Sequence, residues 1–163
     1  MPGLKSTVDA LYNLKISPTL RQIVLPDETT AIGTVATMGN NPLFGAWVDV
    51  ALLGAVTVPT LVTGIAVDTL SATAIYTIQI GSCQGFANAA AVIAAGAGAI
   101  AAAFRASIRF HYLIVGAAGY LFHPVIMLPC PVHIPAGVGI LARGYTVAGA
   151  ETIGVSVLCV QGF

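Results

Sequence analysis

Residues 105–112 read Arg-Ala-Ser-Ile-Arg-Phe-His-Tyr, and this octet sets the fold class. Arg105, Ser107, Arg109 and His111 alternate with Ala106, Ile108, Phe110 and Tyr112. A period of two puts the two sets on opposite faces of an extended strand, one polar and one apolar. A helix would scatter both sets around its axis. Residues 153–159 repeat the pattern. Ile153, Val155, Val157 and Cys159 point one way, and Gly154, Ser156 and Leu158 the other.

Outward from these two segments the chain reads strand, turn, strand. Further strands are expected at Leu20–Leu25, Ala31–Thr37, Ala46–Leu53, Leu61–Val67, Ala74–Ile80, Ala89–Ala94, Pro124–Leu128 and Val138–Val147, with the two index strands extending over Ala106–Val115 and Ile153–Val160. Turn signals separate them: Gly39-Asn40-Asn41-Pro42, Val58-Pro59, Gly116–Gly119, Pro129–Pro131, Pro135-Ala136-Gly137 and Ala148-Gly149-Ala150. Many short strands at this spacing argue an antiparallel β-sandwich or barrel. Ala87–Ala103 is the exception. Its alanines favour helix and Gly96-Ala97-Gly98 favours a break, so it reads as two short strands or a strand and a loop.

Residues 1–20 read as an extended or partly helical arm. Ser6 or Thr7 can cap a short helix over Val8–Leu14, with Asp9 favourably placed in its first turn, and Ser17-Pro18 ends it. Residues 21–163 then form a single β-sandwich domain, with no internal repeat or interdomain linker.

The composition is unusual for a soluble domain. Of 163 residues, 57% are hydrophobic and 7% charged, against roughly 25% charged in an average domain. Charges are also placed unevenly. Lys5, Asp9, Lys15, Arg21, Asp27 and Glu28 all fall in the first 28 residues, and Thr69–Phe104 carries none. So few charges leave three readings: a membrane protein, an aggregating protein, or a subunit whose outer faces are covered by neighbours. The formal net charge is zero, so no electrostatic term holds phosphate, and nucleic acid is not expected as a partner.

The membrane reading turns on Phe86–Phe104, 19 residues of which 11 are Ala. The length would span a bilayer. Only Phe86, Val92, Ile93, Ile100 and Phe104 drive insertion, by about 0.3–0.6 kcal/mol each. Gly96, Gly98 and Asn88 oppose it, and the other apolar stretches are cut every 8–12 residues by Pro or Gly. Membrane spanning is therefore the weaker reading. The N-terminus lacks the apolar core of a signal peptide. Cys83, Cys130 and Cys159 are odd in number and widely spaced, so three buried thiols are expected rather than a disulfide framework or a zinc site.

A family resemblance enters at the C-terminal third. Ile134-Pro135-Ala136-Gly137 opens the strand Val138–Arg143, and a small-residue turn and a last alternating strand follow. Upstream, Ile75–Gly81 reads IYTIQIG. This order resembles the small virion proteins of tailed bacteriophages, the jelly-roll subunits that decorate or cement the head. Only Ile134–Arg143 is a sharp match. The family's polar turns are Ala and Gly here, over Ala89–Ala103 and Val147–Ala150. The resemblance implies a jelly-roll sandwich, an arm reaching to neighbours and a homotrimer on the capsid surface. It also implies the major capsid protein as partner, assembly in the host cytoplasm and no catalysis. A tail, fibre or baseplate subunit is the structural alternative. Physically, Pro135 fixes φ and Gly137 permits a tight reversal, so the last two strands are expected to form an antiparallel pair. Arg143 is placed opposite Ile140 and Ala142, within reach of Glu151 across the Val147–Ala150 turn.

No constellation argues for chemistry. His111, His123 and His133 show no HxH or HExxH spacing. Asp49 or Asp68 would need a histidine and a nucleophile beside it, and no GxSxG elbow occurs. Asp27-Glu28 is an adjacent pair after Pro26, the signature of a solvated loop rather than an acid/base pair. Gly137-x-Gly139-x-x-Ala142 matches a dinucleotide fingerprint in letters but opens a strand where a helix is required. No cofactor or metal is expected. Candidate interface residues are Lys5, Asp9, Lys15 and Arg21 from the charged end, Trp47, and Arg105 and Arg109. Core packing is the ordinary alternative for Trp47 and a solvated face for the two arginines. A carbohydrate-binding sandwich would need aromatics grouped on one face, but only 7% of residues are aromatic and they are scattered.

Overall fold

The computed structural model describes residues 21–26, 34–40, 42–70, 74–96, 108–114, 125–147 and 149–162, with backbone alone for 68–70, 74 and 108–114. Ten strands appear in chain order: β1 (Arg21–Leu25), β2 (Thr34–Thr37), β3 (Gly39–Asn40), β4 (Val48–Ala51), β5 (Thr60–Leu70), β6 (Ala74–Ser82), β7 (Ile108–Ile114), β8 (Val125–Ile134), β9 (Ile140–Thr146) and β10 (Thr152–Gln161). A helix, α1 (Ala89–Ala94), lies between β6 and β7. Among the described residues the strands form two five-stranded sheets. Sheet A runs β1-β10-β5-β8, with β2 beside β1 on the same edge of β10. Sheet B runs β3-β9-β6-β7, with β4 beside β3 on β9. All pairs are antiparallel except the two-residue β3, which runs parallel to β9.

The pairing is nested. β6 pairs with β7 in sheet B, β5 with β8 in sheet A, β3 and β4 with β9 in sheet B, and β1 and β2 with β10 in sheet A. The chain is thus one long hairpin, its successive rungs laid alternately into the two sheets. Met38 is the crossover on the outgoing arm. Its N–H donates to the Glu151 carbonyl at 2.7 Å, and its own carbonyl accepts from the Ala150 N–H.

The alternation read from sequence in the last strand decides the core. Ile153, Val155, Val157 and Cys159 face inward against Val62, Ile65 and Val67 of β5 and Tyr76, Ile78 and Ile80 of β6. Ile140 and Ala142 of β9 complete the contact from sheet B. Each fully buried Val or Ile contributes roughly 1.5–3 kcal/mol. At the end of β10, Gln161 Nε2 donates to Thr60 Oγ1, whose hydroxyl donates to the Val58 carbonyl, so these two buried side chains are hydrogen-bonded.

Four expectations are corrected. Residues 89–94 are a helix and not a strand. Asn88, in extended backbone, accepts the Ala91 N–H at 2.9 Å, and Asp49 Oδ1 accepts the Ala89 N–H at 2.8 Å. Two capped donors and four alanines outweigh the nearby glycines, and Gly96, at φ +82°, lies just beyond the C-cap Ala95. The last two strands do not pair with each other. β9 lies in sheet B and β10 in sheet A, so the connection between them crosses the sandwich. Gly137 does make the tight turn, at φ +74°, but that turn too passes from sheet to sheet, from β8 to β9. Pro129–Pro131 does not end its strand. β8 continues to Ile134, and its register against β5 jumps from Met127↔Gly64 to Val132↔Val62. The prolines sit in a bulge, where their missing N–H groups cost no ladder bond. Finally, Cys83 and Cys159 are buried as expected, but Cys130 in that bulge is exposed.

Candidate functional site

The described residues offer two surfaces and little chemistry. Among them, no group of three His, Cys, Asp or Glu side chains is placed to hold a metal ion. His133 is exposed on β8, and His111 occupies the β7 register position opposite Thr77. His123 lies outside the described residues. Asp49 is committed to the start of α1. Gly139, the middle of the nucleotide-like string, packs against Cys83. Its N–H donates to Cys83 Sγ at 3.2 Å, and a Cβ there would stand 2.7 Å from that sulfur. The glycine therefore serves close packing at the mouth of a strand, and no helix follows it.

The thiols are unsuited to nucleophilic work where they are buried. Burial pushes the Cys83 thiol up, and the Asp49 carboxylate adds to the shift against the opposing Gly139 hydrogen bond. Burial alone pushes Cys159 up to about 12. A thiolate is the reactive form, so both are structural at neutral pH.

The outer face of sheet B carries a stacked cation. Alternation along β9 turns Leu141, Arg143 and Tyr145 away from the core. The Arg143 guanidinium carbon lies 4.2 Å from the Trp47 ring centroid and 4.5 Å from that of Phe44. Its Nε donates to Gln79 Oε1 at 2.8 Å. Phe44 meets Tyr145 edge-on at 5.0 Å. Such cation–π contacts are worth about 0.5–2 kcal/mol each, and they tie the β3–β4 loop to the sheet. Beside this group, α1 and its lead-in cover the sheet, with Phe86, Ala89 and Val92 packing on Trp47, Cys83 and Leu141.

The outer face of sheet A is different. Val24, Leu158, Gly64 and Met127 lie in register across β1, β10, β5 and β8. Gln22, Val160, Leu61 and His133 form the row on one side, and Ser156, Ala66 and Val125 the row on the other. None of the three rows contains Lys, Arg, Asp or Glu. Met127 is 64% exposed and Val125 54%. A groove of about 680 Å³ runs along β1, with Arg21 at one end and Val125, Met127 and Leu158 along its wall.

Of the residues singled out in the sequence, Arg21 is exposed at the start of β1 and lines this groove. Trp47 is 4% exposed, in keeping with the core reading of it. Arg109 holds the β7 register position opposite Gln79, which is itself opposite Arg143. Lys5, Asp9, Lys15 and Arg105 lie outside the described residues. The sequence reading missed the apolar rows of sheet A and the Arg143 stack. The signal for the first was the alternation of Val125 and Met127 with Ile126 and Leu128, but with both sets apolar it does not say which faces out. The second joins residues up to 99 positions apart, and no local pattern marks it.

No helix among the described residues is long and apolar enough to cross a membrane. Comparison with family models, with curated proteins and with solved structures finds no match.

Proposed function

We propose that this chain is a non-enzymatic structural subunit of a bacteriophage particle, a jelly-roll decoration or cement protein that works by burying apolar faces against its neighbours. The observation that carries the proposal is the nested strand order, a long hairpin wound alternately into two sheets. Such an order is compatible with a jelly roll, an architecture used by viral capsid proteins. The Ile134–Arg143 string, with its resemblance to head decoration proteins, adds to it. The scarcity of charge supplies the physical reason to assemble. Apolar area buried between subunits is worth roughly 25 cal/mol per Å², and many repeated weak contacts over a shell sum to firm attachment. The partners are further copies of the chain, with a trimer favoured, and the major capsid protein of the same particle. The protein then resides on the capsid surface after assembly in the host cytoplasm.

Sedimentation of the purified chain at micromolar concentration tests the proposal. The expected result is a species of trimer mass or larger. A stable, soluble monomer would sink the reading.

A further inference from the structure

We infer that Met127, Cys130 and His133 form a binding site for a soft monovalent metal ion, copper(I), on β8 at the edge of sheet A. The inference goes beyond the structural role proposed above and does not depend on it.

In a regular antiparallel strand, residues six positions apart stand about 20 Å from each other. β8 is not regular. Met127 lies opposite Gly64 and His133 opposite Leu61, and through these they share rows with Leu158 and Val160 of β10. The two rows are separated by two residues of β10 and three of β5, about 7–10 Å at strand spacing. The bulge takes up the excess chain, so Met127 and His133 come to neighbouring rows of one face. Cys130 is the middle residue between them. Pro129, Cys130 and Pro131 are exposed in succession, so the alternation is broken there. Proline rings fix φ on both sides of Cys130, and bulges re-aim the side chains they carry. Register thus groups a thioether, a thiol and an imidazole on one short stretch of edge.

The ligand types choose the metal. Thioether and thiolate sulfurs prefer copper(I), and imidazole accepts it. Zinc draws on Cys, His, Asp and Glu, and this group holds only two such residues. Charge points the same way. β8 carries no Lys, Arg, Asp or Glu, nor do the rows that Met127 and His133 share with β1, β10 and β5. Copper(I) held by one thiolate, one neutral imidazole and one thioether has no net charge, so the loaded site suits this uncharged face. A divalent ion would leave a positive charge with nothing to pair against. Binding releases the Cys130 thiol proton to solvent and moves no electron. Cys83 and Cys159 are buried and do not compete for the ion.

The test is an anaerobic titration of the full chain with copper(I) against bicinchoninate, a chelator whose copper(I) complex is coloured. Wild type is compared with Met127→Leu, Cys130→Ser and His133→Gln. All three side chains are exposed, so melting curves should match wild type. The expected result is one copper(I) per chain, with the dissociation constant raised at least about tenfold by each substitution, the cost of losing even an outer-shell partner. Weakening by Cys130→Ser alone, with the other two variants unchanged, would show a lone thiol and overturn the inference. One copper(I) per two chains would mark a thiolate bridge between copies and overturn it as well, as would wild type that takes up no copper(I). Should a variant fail to fold, X-ray absorption of the copper-loaded wild type decides. A coordination shell of both sulfur and nitrogen is expected, and a shell of sulfur alone overturns the site.

Discussion

Cys159 sits on β10, in the middle of sheet A, with its side chain among Val157, Val155 and Ile153 in the core. Its thiol is held protonated, pushed up to about 12 from an unfolded value of 9.0. The folded state therefore binds this proton more tightly than the unfolded chain. The resulting stability is fully present below pH 9 and is lost as pH rises toward 12. At pH 10.5 the loss is about 2 kcal/mol, from one and a half pH units at 1.36 kcal/mol each. Cys83, also raised, acts in the same direction. Urea titrations of wild type and Cys159→Ala at pH 8 and pH 10.5 check this. The stability gap between them should narrow by about 2 kcal/mol at the higher pH. At the same scale, the alternation of residues 153–159 divided β10 into two faces from sequence alone, and the packing of the core turned Ile153, Val155, Val157 and Cys159 inward. Trp47 shows the opposite case, since nothing adjacent to it announces Arg143 as its neighbour.

At the scale of the element, β8 shows how a chain with so little charge guards a sheet edge. Such edges are usually blunted by charge, by proline or by bulges. This strand has no Lys, Arg, Asp or Glu, and uses Pro129, Pro131 and the register jump opposite Thr63. Replacing both prolines by threonine restores two N–H donors and a strong strand former. The double variant should keep its far-UV spectrum and aggregate faster, read as light scattering at 37 °C. An unchanged aggregation rate would count against the guarding role. The proline pair was legible as a break, but whether it ends a strand or bulges within one depends on the partner strand β5. The helix α1 was illegible for a related reason. Asn88 is visible as a cap, but Asp49, which binds the Ala89 N–H from β4, lies 40 residues away.

At the scale of the molecule, the question is which forces hold copies together. The charged N-terminal end and the three uncharged rows of sheet A make opposite demands on salt. At about 1 M NaCl the screening length falls to about 3 Å, so contacts through Lys5, Asp9 and Lys15 would weaken strongly. Burial of Val24, Leu158 and Met127 would not. The assembled mass should therefore survive transfer from about 0.05 M to about 1 M NaCl, measured by sedimentation velocity. Dissociation at high salt would shift the principal contact to the charged end.

The sequence by itself determined the fold class, most of the strand positions and the division of β10 into two faces. These depend on side-chain period, which neighbouring residues set. Only the tertiary structure decided that β9 and β10 lie in opposite sheets, that residues 89–94 are helical, and that Arg143 is stacked between Phe44 and Trp47. Each of these depends on partners many residues away. The same holds for which apolar face stays outside. In a chain that is apolar on both sides of its strands, pattern cannot separate the inner face of a sheet from the outer one, and the packing of the second sheet makes that choice.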